Sequence, residues 1–354
     1  MITRKNAKNL LPAEKKNFTD AVLALKSQPS RLHPVDRRRA RYDDFVEVHL
    51  NAMMAMMMAQ VPNWGHLSPA FGPWHRVFLS HFESELRATS PAAASVALPY
   101  WDWTDPDSTA ALFAPDLLGG NGRPSDGQVM DGPFAFQAGR WTVVVKDSDT
   151  DPDFLARNFG ADSSAPNLPD ATLQAPVMAL ALYDQAPWYD SQRKTAAQRA
   201  SADKLFRFRL EYDLHNLVHR YIGGDMALAS SPNDPVFWFH HCNLDRLWSD
   251  WEQTIGAAAP YMPAQGGPVG QSGDTALIFA FPNETPPWLG SIKPQDVYYS
   301  RAQLQIGYDS DREETHLLAD LPVLTSMKMS MPMPAKEMYP LRSEFHEASV
   351  QAGA

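Results

Sequence analysis

The segment "PVFWFHHCNLDRLWSDW", residues 235–251, limits what this chain can fold into more than any other. It is too apolar for a helix with one face in water, yet it carries His240, His241, Asp245 and Arg246. Each polar group buried there without a partner costs about 1–3 kcal/mol. These side chains therefore read as ligands and the partners that support them.

Similar anomalies occur elsewhere. Helical periodicity runs through about 12–27, 36–59, 73–88, 203–221 and 235–254. Phe18, Val22 and Leu25 make an apolar stripe in the first segment; Phe45, His49, Ala52, Met53 and Met56 share a face in the second. Pro73 opens the third, which aligns His75, Phe78, Leu79, Phe82 and Leu86. In the fourth, Glu211, His215 and His219 are spaced four apart and form one column on a helix. Two histidines on apolar stripes, with His66 in the intervening loop, make one trio; "HNLVHR" and "FHH" supply another. The chain reads as mainly α, a four-helix bundle with its ligands directed at a common axis, with long loops and few short strands. Between 89 and 200 the pattern weakens, and "RWTVVVKD" is the best place for a short strand pair.

An all-imidazole donor set suits copper, zinc, iron or nickel. Two separate trios imply a paired site, which favours two copper ions able to reduce O2 by two electrons. The rest of the composition removes competing classes. A formal charge of −10 leaves no basic footprint for nucleic acid, and no stretch is long and apolar enough for a membrane span. No secretory signal is visible, and Cys242, the single cysteine, can form no internal disulfide. A cytoplasmic protein is expected, with export alongside a partner left open.

The stretches "HLSPAFGPWHRVFLSHFESEL", "LPYWDWTDP", "HNLVHRYIGG" and "SPNDPVFWFHHCNLDRLWSDW" resemble the copper A and copper B signatures of the type 3 copper family, which includes tyrosinases, catechol oxidases, o-aminophenol oxidases and haemocyanins. The resemblance covers roughly residues 10–255. It implies that His49, His66 and His75 hold one copper and His215, His219 and His241 the other. Helix geometry alone leaves His240 and His241 open. Glu211 and Asn216 correspond to residues thought to hold a water that deprotonates a phenol; the plainer reading of Glu211 is a salt bridge to Arg207. Arg220 either orients a substrate carboxylate or caps the surface, and Leu228 is the bulkiest expected neighbour of the entrance. Trp64 stands where many relatives carry a cysteine cross-linked to the second copper A histidine. His33, His81, His316 and His346 lack partners at ligand spacing and read as ordinary.

The implied organisation is a dicopper domain over 1–300 and an extension over 301–354 without a large lid domain, as in compact bacterial members. The implied reaction uses O2 to hydroxylate monophenols or to oxidise o-diphenols to o-quinones. A pure catechol oxidase, an o-aminophenol oxidase and a haemocyanin-like O2 carrier are the alternatives. A helper protein for copper delivery fits the bacterial type. The methionines in "NAMMAMMMAQ" and "SMKMSMPMP" read as packing residues and a surface strap, with Cu(I) handling by the tail as the alternative.

Overall fold

A computed structural model of the chain describes residues 1–59, 63–256, 261–279 and 286–311. Five long helical segments position the site. Helix α1, Pro12–Ser27, starts with proline in its first turn, where no amide donor is needed, and Glu14 caps the Leu11 amide at 2.8 Å. Helix α2 spans Arg41–Ala59 and α3 spans Phe71–Ala88. Helix α4 is built from Phe206–Arg209, a π turn over Leu210–His215, and Asn216–Ile222. Helix α5, Val236–Trp251, is buried along almost its whole length. Asp234 accepts from the Val236 amide at 3.0 Å and is itself gripped by the buried Arg157 at 2.7 Å.

Aromatic packing fixes α5 against its neighbours. Trp238 stacks on Phe82 of α3, with centroids 3.5 Å apart, and Phe239 meets Phe18 of α1 edge-on at 5.0 Å. Such pairs contribute about 0.5–1.5 kcal/mol beyond their burial. The Trp238 indole donates to the Tyr42 hydroxyl of α2 at 2.8 Å, and that hydroxyl donates to the Pro232 carbonyl at 2.6 Å, so neither polar atom is stranded. Asp245 meets the expectation for its segment in another way: it bonds Arg76 of α3 at 2.5 Å and Arg4 at 3.0 Å. Arg4 lies on β1, Ile2–Arg4, which pairs in parallel with β2, Ile306–Tyr308.

Several boundaries differ from those read from the sequence. Helix α2 begins at Arg41, after a turn in which Asp43 accepts from the Ala40 amide at 2.8 Å. "RWTVVVKD" joins no ladder among the described residues, because the Val145 carbonyl is taken by the Asn233 side chain at 2.7 Å; the strand pair forms instead between β1 and β2. The compact unit extends from Met1 to Asp309, so β2, which falls beyond the 300/301 boundary, is part of it. The tail methionines, His316 and His346 lie outside the described residues. Among the described residues no helix is long and apolar enough to cross a membrane.

Candidate metal centre

The four ligand-bearing helices converge as the periodicity predicts. His49 comes from α2, His75 from α3, His215 and His219 from α4, and His240 and His241 from α5; His66 enters from the loop before α3. His49, His66 and His75 form one cluster, with ring centroids 4.7–6.0 Å apart. His215, His219, His240 and His241 form another. The clusters face each other: His241 stacks on His75 at 4.2 Å, and His66 lies 5.6 Å from His215. The Nε2 atoms of His219 and His241 are 3.4 Å apart. This matches the edge of a tetrahedron whose metal–nitrogen bonds are about 2.0–2.1 Å, roughly 3.3–3.4 Å.

Hydrogen bonds at Nδ1 orient four of the rings. His49 donates to the Ala229 carbonyl at 2.8 Å, His75 to the Phe71 carbonyl at 2.8 Å, and His219 to the Met226 carbonyl at 2.6 Å. His215 pairs with Asn216 Oδ1 at 2.8 Å. Because a carbonyl can only accept, each Nδ1 carries the hydrogen and the lone pair is left on Nε2. The Nε2 atoms of His49, His75 and His215 are buried without a hydrogen-bond partner. Orphaned, convergent and neutral nitrogens of this kind fit a metal pair and are otherwise costly. Burial keeps the rings neutral: it lowers His49 to about 3 and His219 to about 4, in each case against the pull of the carbonyl acceptor. Burial likewise holds His66, His75, His215, His240 and His241 well below the usual imidazole range, with neighbouring imidazoles adding to the shift.

His240 has neither ring nitrogen partnered, and it packs 5.1 Å from Trp103. Both members of the "HH" pair thus point into the centre, while His241 lies nearer the opposite trio. His33 pairs with Glu47 at 2.7 Å, away from the cluster. Cys242 is buried, with its sulfur 3.5 Å from the Leu98 carbonyl. Trp64 is also buried.

The other sequence candidates surround the centre. Glu211 makes the expected pair with Arg207, at 3.0 Å, and also accepts from the Leu67 amide at 2.7 Å. Burial pushes its carboxyl up to about 8, outweighing the pull of Arg207. Asn216 holds the His215 ring. Arg220 is half-buried and donates to Ser164 at 2.9 Å. Leu228, also half-buried, lies between the two carbonyls that orient His219 and His49.

Beyond Leu228 at the entrance, nothing in this loop's sequence shows that its carbonyls orient imidazoles. Gly223 and Gly224 have φ of 64° and 53°, and a Cβ on Gly224 would lie 2.0 Å from the Ala156 carbonyl, so "YIGGD" turns tightly after α4. Asp225 then bonds the Ala156 amide at 2.7 Å, and Asp147 grips the amides of Ala229 and Ser230 at 2.9 and 2.8 Å. One pinned loop thereby orients an imidazole in each cluster. The glycine pair was the only visible signal. The π turn beneath His215 was also unread; it replaces the regular geometry on which the Glu211–His215–His219 column rests.

Fold and site together define a helical metalloprotein whose buried imidazoles form a paired centre. The description "Common central domain of tyrosinase" matches residues 39–254, and the chain belongs to the tyrosinase family. A tyrosinase from Streptomyces antibioticus is 44% identical over 274 residues, covering 76% of this chain and 89% of the relative. Grixazone synthase from Streptomyces griseus is 34% identical, with 73% of this chain and 87% of the relative covered. In fold, the chain is similar to a polyphenol oxidase from Thermothelomyces thermophila, with a TM-score of 0.57 and 24% identity over 87% of this chain and 88% of that one. The cofactor of the family is a dinuclear copper centre, and the two histidine clusters fit it.

Proposed function

We propose that this protein is a copper-dependent phenol oxidase of the tyrosinase type, using O2 to hydroxylate monophenols and to oxidise o-diphenols to o-quinones. The observation that carries the reading is the pair of facing histidine clusters with unpartnered, buried Nε2 atoms. Identities of 41–44% to Streptomyces tyrosinases favour this activity over oxygen carriage. In this reading His49, His66 and His75 hold copper A, and His215, His219 and His241 hold copper B. His241 is chosen over His240 because it stacks on His75 and meets His219 through Nε2.

When bound, the copper pair supplies two-electron exchange between the phenolic substrate and O2. The protein's part is orientation, dryness and proton handling. Carbonyls of Phe71, Met226 and Ala229 and the Asn216 amide lock the rings with Nε2 inward, so little reorganisation remains at reaction. Phe71 and Phe237 pack against the imidazoles and exclude water from the ligand shell. Glu211 and Asn216 hold a water that receives the phenolic proton; a carboxyl raised by burial toward neutral pH suits that exchange. Arg220 holds a substrate carboxylate, and Leu228 flanks the entry beside Ala229. Delivery of copper by a helper protein belongs to the same proposal, because every ligand but the half-buried His219 is buried and metal must enter through a transient opening.

Oxygen uptake by the copper-loaded protein, measured with a monophenol, a catechol and an o-aminophenol, tests this. Turnover of the first two is expected. Turnover confined to the o-aminophenol, or none, overturns it.

A further inference from the structure

The loop that delivers His66 is held in an unfavourable conformation. Leu67 has φ of 54°, in the left-handed region where a leucine side chain crowds its own backbone. Both of its peptide groups are clamped. Its amide donates to Glu211 Oε1 at 2.7 Å, and its carbonyl accepts from the Asp190 amide at 3.0 Å.

These two anchors belong to one buried ion cluster. Arg207 bonds Glu211 Oε2 at 3.0 Å and reaches both oxygens of Asp190, at 2.7 and 2.8 Å. Its Nε bonds Asp184 at 2.7 Å, and Arg193 bridges Asp184 and Asp190 at 2.9 and 3.2 Å. All five side chains are essentially buried, and Arg207 places Nε and both Nη atoms on carboxylates of the cluster. A ring therefore closes: Leu67 to Glu211 to Arg207 to Asp190 and back to Leu67. Arg207 and Glu211 sit on α4, which carries His215 and His219 of the other cluster, whereas Leu67 follows His66 directly. Arg207, which bonds carboxylates and no imidazole in this cluster, thus joins the loop of one histidine cluster to a helix of the other.

We propose that Arg207 is a positioning residue for copper A: through Glu211 and Asp190 it holds the left-handed Leu67 peptide, and so keeps His66 seated, although Arg207 lies on the copper B helix. This rests on the assignment of His66 to copper A. Without the clamp, Leu67 relaxes toward an ordinary backbone conformation and takes His66 with it. Neighbours that orient a ligand typically set metal affinity by about 10–100-fold.

The test uses copper-loaded full-length protein under chelator challenge, with electron paramagnetic resonance as the readout, since a lone Cu(II) gives a signal that a strongly coupled pair does not. His66→Ala and His219→Ala supply reference spectra for single coppers at B and at A. Arg207→Gln is expected to lose one copper roughly tenfold faster than wild type and to leave the His66→Ala spectrum. Leu67→Gly added to Arg207→Gln should slow that loss, because glycine accepts positive φ without the clamp. If Arg207→Gln folds poorly, Leu67→Val, which leaves every ion pair intact but disfavours positive φ further, should give the same selective loss. Wild-type rates of loss in the folded variants, or a residual spectrum matching His219→Ala, overturn the proposal. A His66→Ala protein that retains a full coupled pair would instead refute the ligand assignment on which it rests.

Discussion

Replacing Asp245 by asparagine should cost about 3 kcal/mol of folding stability while leaving every histidine in place. The carboxylate sits between Arg76 at 2.5 Å and Arg4 at 3.0 Å, and all three side chains are buried. After the substitution Arg4 keeps Glu83 at 3.3 Å, and Arg76 keeps one carboxylate, Glu252 at 3.2 Å, beside the Val297 and Tyr298 carbonyls at 2.9 and 2.6 Å. Burial raises Glu252 to about 8, so near neutrality it is a poor counter-charge until it gives up its proton. Breaking a buried pair costs about 3–5 kcal/mol, and ionisation of Glu252 in the variant brings the loss to the low end. The loss should also shrink between pH 6 and pH 9. Wild-type stability falls as pH rises through the raised Glu252 value, because the unfolded chain releases that proton first. The variant, freed of repulsion from Asp245, suffers less from the same rise. Urea unfolding of metal-free wild type and Asp245→Asn, followed by tryptophan fluorescence at both pH values, measures the difference. A loss below about 1 kcal/mol, or one that grows with pH, would refute the argument.

Metal-free protein should lose stability on acidification from about pH 6.5 toward 4 and below, because the unfolded chain binds protons on imidazoles that burial holds to about 3 and 4 in the fold; thermal unfolding against pH should show this, and a flat profile counts against burial of neutral rings. Glu211→Gln and Asn216→Ala should lower monophenol hydroxylation more than catechol oxidation, since only the monophenol must lose its proton without help from an adjacent hydroxyl; equal losses would assign both residues to the geometry of the metal site. Arg220→Gln should raise KM for phenols bearing a carboxylate several-fold and leave uncharged catechol unchanged, as steady-state kinetics on the two substrates would reveal.

Helix existence and the histidine trios were legible because apolar residues at a period near 3.6 define inward faces, and an imidazole on such a face stands out. His49, His75, His215 and His219 stand out that way, and His66 joins the first trio by lying in the loop between two of them, whereas the choice of His241 over His240 depended on family resemblance because helix geometry leaves that pair open. Partners distant in the chain were not legible. Asp245 announced that it needed a counter-charge, but Arg4 lies 241 residues away. The ordering carbonyls of Phe71, Met226 and Ala229 were invisible for a different reason: every residue carries a carbonyl, so composition says nothing about which one will meet an imidazole. The π turn at Leu210–His215 likewise leaves the sequence period almost unchanged while altering which side chains share a face. The pair Glu211–Arg207 was anticipated from its spacing of four, but the Leu67 amide on the same carboxylate was not.

A copper pair with one ion in each histidine cluster can be measured directly. The most direct measurement is the copper content of purified, copper-loaded wild type, His75→Ala and His215→Ala, combined with paramagnetic resonance of each. About two coppers per wild-type chain with little Cu(II) signal are expected, and about one copper with a strong signal in each variant, the two signals being distinct. A single copper in the wild type, tightly bound zinc in its place, or variants that lose no metal would contradict that pairing.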